Sequence, residues 1–347
     1  MGAQTPSTDR ELPRSQQAPA APKHSVNLAR RVGAINMVKV VSLFSGCGGL
    51  DLGARGGFVF LGRRFPVNPV QIVKAIDFDR DVAAVYAENL GPIDVADVRT
   101  VTDWPNADLV IGGPPCQPFS LASKHQIGAS DERNCIPAFV DVVSKIRPRA
   151  FLMENVVGLI WVKRHRAYFD QVLEQLADFG YSVEWRQLNA ADYGVPQVRE
   201  RVFVQGVRGA KSTGPWWPEQ THAEKPEGKL KPWVTVRHAI ADLEAAYHKD
   251  RIGHLPEGGL RYPRYKSSNR RMFADRPFFT IKCDQTVKLG SVFHPWFNRS
   301  LTLTELKRAC SFPDDFVIQK RGKALGNAVP PVLAWHLVRA IARGLGQ

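Results

Sequence analysis

The sequence has no run of about 18 apolar residues, the length that a membrane-spanning helix needs, and no short apolar segment near its start of the kind found in secretory signals. Its five cysteines are an odd number, and no two of them form a C-x-x-C pair. These absences argue against a membrane protein, a disulfide-stabilised secreted domain and a zinc site. We therefore expect a cytoplasmic protein with reduced thiols and without a bound metal.

Acidic residues are scarce relative to basic ones. The chain has 47 Lys and Arg against 33 Asp and Glu, a formal net charge of +14 over 347 residues. Such an excess favours a polyanionic partner, because phosphate contacts by Lys and Arg release counterions. Basic character also serves solubility, so the charge alone does not identify a nucleic acid.

Residues 1–36 are rich in Pro, Ala, Gln and Ser, and we expect them to form a disordered leader. From Val38 onward, short apolar runs alternate with amphipathic segments. The runs predict strands over 38–44, 70–76, 108–113, 150–155, 181–188 and 201–207, and the amphipathic segments predict helices over 80–90, 133–146 and 168–180. This alternation predicts an α/β fold with a doubly wound, largely parallel sheet, whose ligands bind at the carboxyl ends of the strands.

Residues 206–298 differ in character from the rest of the chain. They are irregular and carry 16 Lys and Arg against nine Asp and Glu, half of the net charge. In the segment 261–276, RYPRYKSSNRRMFADR, aromatic residues interleave with basic ones, which is typical of a nucleic-acid surface; the alternative is a solvated basic loop. Helical spacing returns afterwards and extends over 326–345. We therefore expect a catalytic domain over 37–205, a smaller irregular domain over 206–298 and a return to the first domain over 299–347.

Four motifs lie at predicted strand ends. SLFSGCGGLDLG (42–53) is a glycine-rich turn between a strand and a helix, suited to backbone contact with a cofactor, and Asp77 at the next strand end is placed for ribose hydroxyls. Helix caps are the alternative for Asp77 and for Asp97. LVIGGPPCQPFS (109–120) holds Cys116 on a rigid turn, where a thiolate is a strong nucleophile.

The other two motifs carry charge. ENV (154–156) ends a buried strand with an acid that can donate to a ring nitrogen. QVRER (197–201) spaces Gln197, Arg199 and Arg201 at a period of two, which places them on one face of an extended segment; a solvent-facing strand of salt bridges is the alternative.

The ordered set FSGCGG, GGPPCQPFS, ENV, QVRER, RSLTLTE and GNAVPP resembles the motif series of the DNA cytosine-5 methyltransferases. The resemblance extends from about residue 38 to the C-terminus, and PPCQ is its most specific element. It implies a Rossmann-like methyltransferase sheet with a target-recognition domain at 206–298. It also implies that the enzyme methylates carbon 5 of a flipped cytosine in double-stranded DNA, as a monomer that a separate restriction endonuclease could accompany.

The resemblance assigns roles to residues. The cofactor is S-adenosylmethionine, bound by Phe44, Ser45, Gly46, Cys47, Gly48, Gly49, Asp77, Phe78, Asp97, Val98 and Asn327. The catalytic residues are Cys116, which attacks carbon 6, Glu154 at ring nitrogen 3, and the supporting Arg199 and Arg201. DNA contacts fall to Gln117, Ser120, Lys124, Gln197, Arg261, Arg264, Lys266, Arg270 and Arg271. Arg299, Thr302 and Glu305 support the recognition region.

The chain departs from the family pattern at three places. Asp77 stands where family members usually carry Glu, Ser311 replaces a common glycine, and the stretch 59–69 is extra, either a basic surface loop near DNA or a simple insertion. Two rival functions use the same fold: methylation of transfer RNA and DNA binding without catalysis. The intact PPCQ and ENV motifs and the size of the 206–298 region argue against both. A nucleotide-binding oxidoreductase, the third rival, has no use for PPCQ.

Overall fold

The computed structural model describes residues 37–115, 119, 128–209, 215–243, 270–282, 292–297, 299–318 and 323–346. Several of the sequence-based assignments lie outside the described residues. These are the leader 1–36, the nucleophile Cys116, and the DNA-contact candidates Gln117, Ser120, Lys124, Arg261, Arg264 and Lys266.

A seven-stranded sheet organises the chain, in the order β5-β4-β1-β6-β7-β9-β8. Its strands are β1 (Val38–Leu43), β4 (Val70–Asp77), β5 (Asp94–Val95), β6 (Leu109–Gly112), β7 (Ala150–Val156), β8 (Tyr181–Asn189) and β9 (Glu200–Arg208). Neighbours from β5 to β7 pair in parallel, whereas β9 is antiparallel to both β7 and β8. The parallel strands therefore end at one common edge, as the sequence predicts.

Helices cover both faces of this sheet. They are α1 (Gly49–Arg55), α2 (Arg80–Leu90), α3 (Ile136–Ile146), α4 (Gly158–Trp161), α5 (Lys163–Asp178), α6 (Val236–Ile240), α7 (Leu303–Ala309), α8 (Lys323–Asn327) and α9 (Pro331–Leu345). Alternate residues of β1 enter different cores: Val38 and Val40 pack on the side of α1 and α9, and Val41 and Leu43 on the side of α3 and α5. Burial on both faces confirms the predicted doubly wound sheet.

Local chemistry explains where several helices begin and end. Helix α2 has the predicted bounds because the Asp79 side chain accepts hydrogen bonds from the Asp81 and Val82 amides, and Gly91 follows with φ of 96°. The helical spacing over 326–345 corresponds to the end of one helix and to a second helix. Pro330 and Pro331 separate α8 from α9, because proline removes a backbone donor and restricts the residue before it.

The extra stretch 59–69 forms a hairpin, which the sequence did not predict. Strands β2 (Phe58–Phe60) and β3 (Arg63–Phe65) pair antiparallel, and Phe65 packs edge-on against Trp335 of α9. The hairpin follows α1 and leads into β4, with the Val38 amide donating to the Pro69 carbonyl. It therefore lies at the amino ends of the strands, opposite to the edge that carries the predicted motifs.

Apart from the end of β9, the strands in the described parts of 206–298 are short: β10 (His222–Ala223) pairs with β11 (Lys231–Pro232), and β12 (Arg270–Arg271) pairs with β13 (Val292–Phe293). Helix α6 lies in the same range. The apolar residues of these parts share a core with α1 and α9, through Val236, Phe278 and Ile281 among others. Strand β9 itself continues to Arg208, past the expected boundary at 205. The division into domains therefore stays a prediction.

Within the described ranges, no helix is long and apolar enough to cross a membrane. The same residues contain no group of three or more His, Cys, Asp or Glu side chains that could hold a metal ion. Cys47, Cys135 and Cys310 are free and buried, and the other two cysteines lie outside the described residues.

Candidate active site

Strand register brings the motifs together along one edge of the sheet. Leu43 at the end of β1 pairs with Ile76 of β4 on one side and with Gly112 of β6 on the other. Gly112 in turn pairs with Met153 of β7. Neighbouring strands are about 4.8 Å apart, so the edge presents, in order, Asp77, the glycine turn, the turn that leads to Cys116, and Glu154.

The glycine turn adopts backbone conformations that glycine favours. Gly46 and Gly48 have φ of 57° and 91°, and Phe44 itself is left-handed with φ of 53°. Asp77 fixes the turn from the neighbouring strand: its Oδ2 accepts a hydrogen bond of 2.8 Å from the Gly46 amide, and its Oδ1 accepts one of 2.9 Å from the Asp79 amide. Burial raises the pKa of Asp77 and the hydrogen bonds oppose this.

A buried chain of hydrogen bonds supports the same turn from below. The Ile76 amide donates to Ser45 Oγ at 3.2 Å, Ser45 Oγ donates to Ser42 Oγ at 2.9 Å, and Ser42 Oγ donates to Asp51 Oδ2 at 2.9 Å. Tyr86 donates to the other oxygen of Asp51 at 3.3 Å. Asp51 is completely buried, and burial raises its pKa to about 6. The sequence analysis did not single out Asp51; an acid inside the first turns of a buried helix was its only signal.

The turn also packs against the C-terminal part of the chain. A Cβ atom at Gly49 would lie 2.4 Å from the Val329 carbonyl oxygen, so only glycine permits this approach. Cys47 Sγ lies 3.6 Å from the Ala324 carbonyl of α8. These contacts bring GNAVPP to the cofactor turn, and Asn327 is exposed there.

Three further cofactor candidates differ in environment. Phe78 is 65% exposed directly after Asp77, as a ring available to a planar ligand would be. Val98 is buried. Asp97 caps the short 3-10 helix at 98–100 by accepting from the Arg99 amide, and its carboxylate is paired with the Arg99 guanidinium. The cap predicted as the alternative for Asp97 is therefore present, and its contact with a cofactor stays a prediction.

The turn after β6 is pressed against β7. A Cβ atom at Gly112 would lie 2.7 Å from the Leu43 carbonyl oxygen, and one at Gly113 would lie 3.2 Å from Glu154 Oε2. The Asn155 side chain donates to the Pro114 carbonyl at 3.3 Å. Glycine and asparagine thus hold the backbone that leads into Cys116 close to the Glu154 carboxyl. Nothing in the ENV pattern itself indicates this role of Asn155, which depends on the neighbouring strand.

Glu154 is buried, and its Oε1 lies 3.0 Å from Nε of Arg201. Register explains the contact, because Val156 of β7 pairs with Arg201 of β9. Burial raises the pKa of Glu154, and the positive charges of Arg201 and Arg199 oppose this. When protonated, this carboxyl can donate to a ring nitrogen that carries no hydrogen, and when ionised it can accept from a ring N–H.

Arg199 and Gln197 turn inward, which contradicts the alternative of a solvent-facing strand. Arg199 donates to the carbonyls of Ile281 and Gly326, so it joins the segment 276–282 to α8. Gln197 is completely buried; its amide donates to the Ala309 carbonyl and its oxygen accepts from the Ile281 amide. Internal backbone groups occupy both ends of the Gln197 amide, and its contact with DNA stays a prediction.

The RSLTLTE motif forms a buried ion pair. Both Arg299 nitrogens donate to the Glu305 carboxylate, at 2.8 and 2.7 Å. Glu305 also accepts from the Thr302 amide and so completes a capping box in which the Thr302 side chain caps α7. His294 Nε2 lies 3.2 Å from the Glu305 carboxylate. Burial disfavours the ionised form of Glu305, but the hydrogen bonds from Arg299 and His294 outweigh it and lower its pKa to about 2.

Phe119, before the segment 120–127, and Asn134, after it, both contact helix α5. Phe119 is buried, with its ring stacked on Tyr168 at 5.7 Å and edge-on to His165. Asn134 donates to the Tyr168 hydroxyl at 2.9 Å. Helix α5 therefore contacts the chain both before and after this segment, a role that no local pattern around Tyr168 indicates.

Of the basic candidates at 261–271, the structure describes the backbone of Arg270 in β12 and the side chain of Arg271. Nη1 of Arg271 donates to the carbonyls of His294 and Phe297, at 2.9 and 3.0 Å, and the side chain is half-buried. Its contact with DNA stays a prediction.

Comparison with known proteins agrees with this geometry. The family model described as C-5 cytosine-specific DNA methylase matches residues 38–257. The chain is 33% identical to the Type II methyltransferase M.NgoFVII of Neisseria gonorrhoeae, over 88% of this chain and 87% of that protein. It is 34% identical to the Type II methyltransferase M.MthTI of Methanothermobacter thermautotrophicus, over 88% and 97%.

Solved structures show the same fold. A putative DNA modification methyltransferase from an E. coli prophage aligns with a TM-score of 0.60 and 21% identity, over 89% of this chain and all of that one. The S. pombe Dnmt2 methyltransferase aligns with a TM-score of 0.61 and 18% identity, over 89% and 98%. The fold, the motif geometry and the sequence relatives agree: this chain belongs to the C-5 cytosine-specific DNA methylase family and is a DNA cytosine-5 methyltransferase.

Proposed function

We propose that the protein transfers a methyl group from S-adenosylmethionine to carbon 5 of a cytosine flipped out of a specific duplex sequence, through a covalent adduct between Cys116 and carbon 6. One observation carries this proposal. The buried Glu154 carboxyl, held by Arg201, faces the Gly112–Gly113 turn that runs directly into the PPCQ sequence.

The residues at the glycine turn fit S-adenosylmethionine. The two Asp77 oxygens accept one amide each, and each keeps a lone pair for a ribose hydroxyl. The exposed Phe78 ring offers an aromatic face for adenine, and the left-handed glycines let a ligand approach the backbone. Asp77 would thus hold both the turn and the ribose, which suits the shorter acid found here.

The Cys116 thiolate would form a bond to carbon 6, while the electron pair of the ring moves towards nitrogen 3. Glu154 would stabilise that nitrogen by hydrogen bonding or protonation, and Arg201 would keep the carboxyl oriented. S-adenosylmethionine, when bound, supplies the electrophilic methyl group that the enamine-like carbon 5 accepts. A base then removes the carbon 5 proton, the carbon–sulfur bond breaks, and the thiolate leaves.

The proposed substrate is duplex DNA, and these steps require that the target cytosine lies outside the helix. The ring atoms of cytosine cannot be reached inside the stack, so the base must flip at a cost of a few kcal/mol. Basic contacts from the segment 261–276 and from Lys124 would offset this cost. We propose the region 206–298 as the part that reads the target sequence.

The relatives named above are Type II methyltransferases. We propose the same class for this chain: a monomeric, cytoplasmic enzyme that modifies DNA as the counterpart of a separate restriction endonuclease. The relatives' names favour this over methylation of transfer RNA, and the intact ENV acid favours it over a regulator without catalysis.

The test uses Cys116→Ala and a duplex that carries 5-fluorocytosine at the target. The wild-type protein should form a stable adduct that survives denaturation, because fluorine at carbon 5 cannot be removed as a proton is. Cys116→Ala should form no adduct and no 5-methylcytosine, yet still bind S-adenosylhomocysteine in calorimetry. Methyl transfer by this variant would contradict the covalent mechanism.

Bisulfite sequencing of host DNA after expression of the protein identifies the target sequence and the activity together. Parallel assays with duplex DNA and with transfer RNA separate the two substrate classes. Transfer to RNA alone would overturn the choice of DNA.

A further inference from the structure

A cationic and aromatic surface follows the catalytic strand β7. Trp161, Lys163 and Arg164, here called the Trp161 patch, are all exposed at the junction of α4 and α5, and Trp161 is 64% exposed. The exposed indole ring and the two positive charges lie within four residues of one another, so they form one mixed aromatic and cationic surface.

The patch lies on the edge of the sheet that carries the reaction. The Trp161 indole donates to the Gln187 side chain at 2.9 Å. Gln187 of β8 pairs with Val202 of β9, and Val202 pairs with Asn155 of β7. The residue that Trp161 contacts, Gln187, is therefore in register with Asn155. The two residues are two strand spacings apart across the sheet, which is roughly 10 Å.

Local electrostatics do not explain the position of the Lys163 charge. Residues 157–169 contain three Lys and Arg and no Asp or Glu. Lys163 and Arg164 occupy the first turn of α5, where the helix dipole disfavours positive charge. Among the described residues, no carboxylate forms a salt bridge with Lys163. The nearby Arg166 does form one, with Asp170 in the next turn of the helix. The arrangement costs stability, so an anionic partner is its better explanation.

The side chains are also held in place before any partner binds. Arg164 Nε donates to His165 Nε2 at 3.2 Å, and the other ring nitrogen of the buried His165 lies 3.1 Å from the Gly158 carbonyl. Two of the three side chains in the patch, Trp161 and Arg164, thus have oriented polar atoms. Ordering lowers the entropy lost on binding.

We infer that the Trp161 patch binds the sugar–phosphate backbone of the duplex beside the flipped cytosine, with Lys163 and Arg164 on phosphates and Trp161 against the neighbouring sugar. The inference rests on the proposed function, since it takes duplex DNA as the substrate. It adds a contact surface on the catalytic side of the molecule, apart from the loop after Cys116 and the segment 261–276.

The test compares two double variants that remove the same charge. Lys163→Gln with Arg164→Gln removes two charges from the patch. Lys39→Gln with Arg147→Gln removes two exposed charges from the amino ends of the strands, at the opposite edge. Duplex affinity is measured over a range of salt concentrations, by fluorescence anisotropy with S-adenosylhomocysteine present.

Each lost phosphate contact lowers the slope of log K against log salt by about 0.9. The slope for the patch variant should therefore be smaller in magnitude by about 2. When salt is raised from about 50 to about 200 mM, the wild-type protein should lose about 10-fold more affinity than the variant loses. The control variant should keep the wild-type slope. Trp161→Ala should weaken binding without changing the slope, because it removes contact area but no charge.

Equal slopes for the two double variants, on a duplex that the wild-type protein binds, would overturn the patch and leave the proposed function intact. Failure of the wild-type protein to bind any duplex would overturn both. S-adenosylhomocysteine binding and thermal unfolding verify that each variant is folded.

Discussion

Nε of Arg201 lies 3.0 Å from Oε1 of Glu154, and both side chains are largely buried where two antiparallel strands of the sheet meet. The contact matters because burial raises the pKa of Glu154 while the arginine lowers it. Burial and Arg201 therefore act in opposite directions on the protonation of the Glu154 carboxyl.

Arg201→Gln should raise the pKa of Glu154 further, since burial then acts against less positive charge. If the protonated carboxyl serves nitrogen 3, the alkaline limb of the kcat–pH profile moves to higher pH. We also expect kcat to fall by about 100-fold, the scale of a lost acid–base contribution. Single-turnover methyl transfer across the pH range provides the measurement.

Glu154→Gln is the companion of that variant. It should lower kcat at every pH and remove the limb altogether, because the amide does not titrate. An alkaline limb that stays unchanged in both variants would show that another group is responsible.

Phe78→Ala should weaken S-adenosylhomocysteine binding about 10-fold, the loss of roughly 1–1.5 kcal/mol of aromatic contact. The free energy of unfolding should hardly change, because the ring is 65% exposed. Phe273→Ala, at a ring that is 57% exposed in the 270–282 segment, is the matched control. Calorimetric titration distinguishes them, and equal affinities would remove Phe78 from the cofactor site.

Asp51→Asn tests the buried hydrogen-bond chain under the glycine turn. Burial raises the folded pKa of Asp51 from 3.8 to about 6, so its stabilising contribution is present below the unfolded pKa and is lost as pH rises through about 6. Asparagine does not ionise. Relative to wild type, the variant should therefore gain on the order of 2 kcal/mol between about pH 4 and about pH 8.

Urea unfolding at both pH values measures this gain. Parallel stability curves for the two proteins would contradict a raised pKa at Asp51. A shift in S-adenosylhomocysteine affinity would accompany the change if the chain from Asp51 to Ser45 shapes the turn.

Arg299→Ala should destabilise the fold by about 3–5 kcal/mol, because it leaves the buried Glu305 carboxylate without its main partner. Arg237→Ala breaks an exposed pair with Asp275 and should cost far less stability, because water screens that pair. In wild type, the lowered pKa of Glu305 contributes stability above its unfolded value of 4.5, and this is lost as pH falls through about 2. Denaturant melts compare the two variants, and similar losses would contradict the buried role.

Much of the fold was predictable because its signals are local. Apolar runs identified the strands, and Asp79 and Gly91 bounded α2 where the spacing predicted it. The hairpin at 58–65 was missed because its strands have three residues each, too few for a clear period. The helical spacing over 326–345 indicated helix but gave no boundary, and the structure places the break between α8 and α9 at Pro330 and Pro331.

The sequence by itself determined the chemistry on offer: a thiol in PPCQ, an acid in ENV, a glycine turn and a resemblance that the family comparison confirms. Only the tertiary structure decided which side chains face which. Gln197 and Arg201 belong to the same motif. Gln197 is buried and bonds to the Ala309 carbonyl, whereas Arg201 pairs with Glu154. The reason is physical, since the partners of a side chain come from strand register and long-range packing, and neither is encoded in the residues beside it.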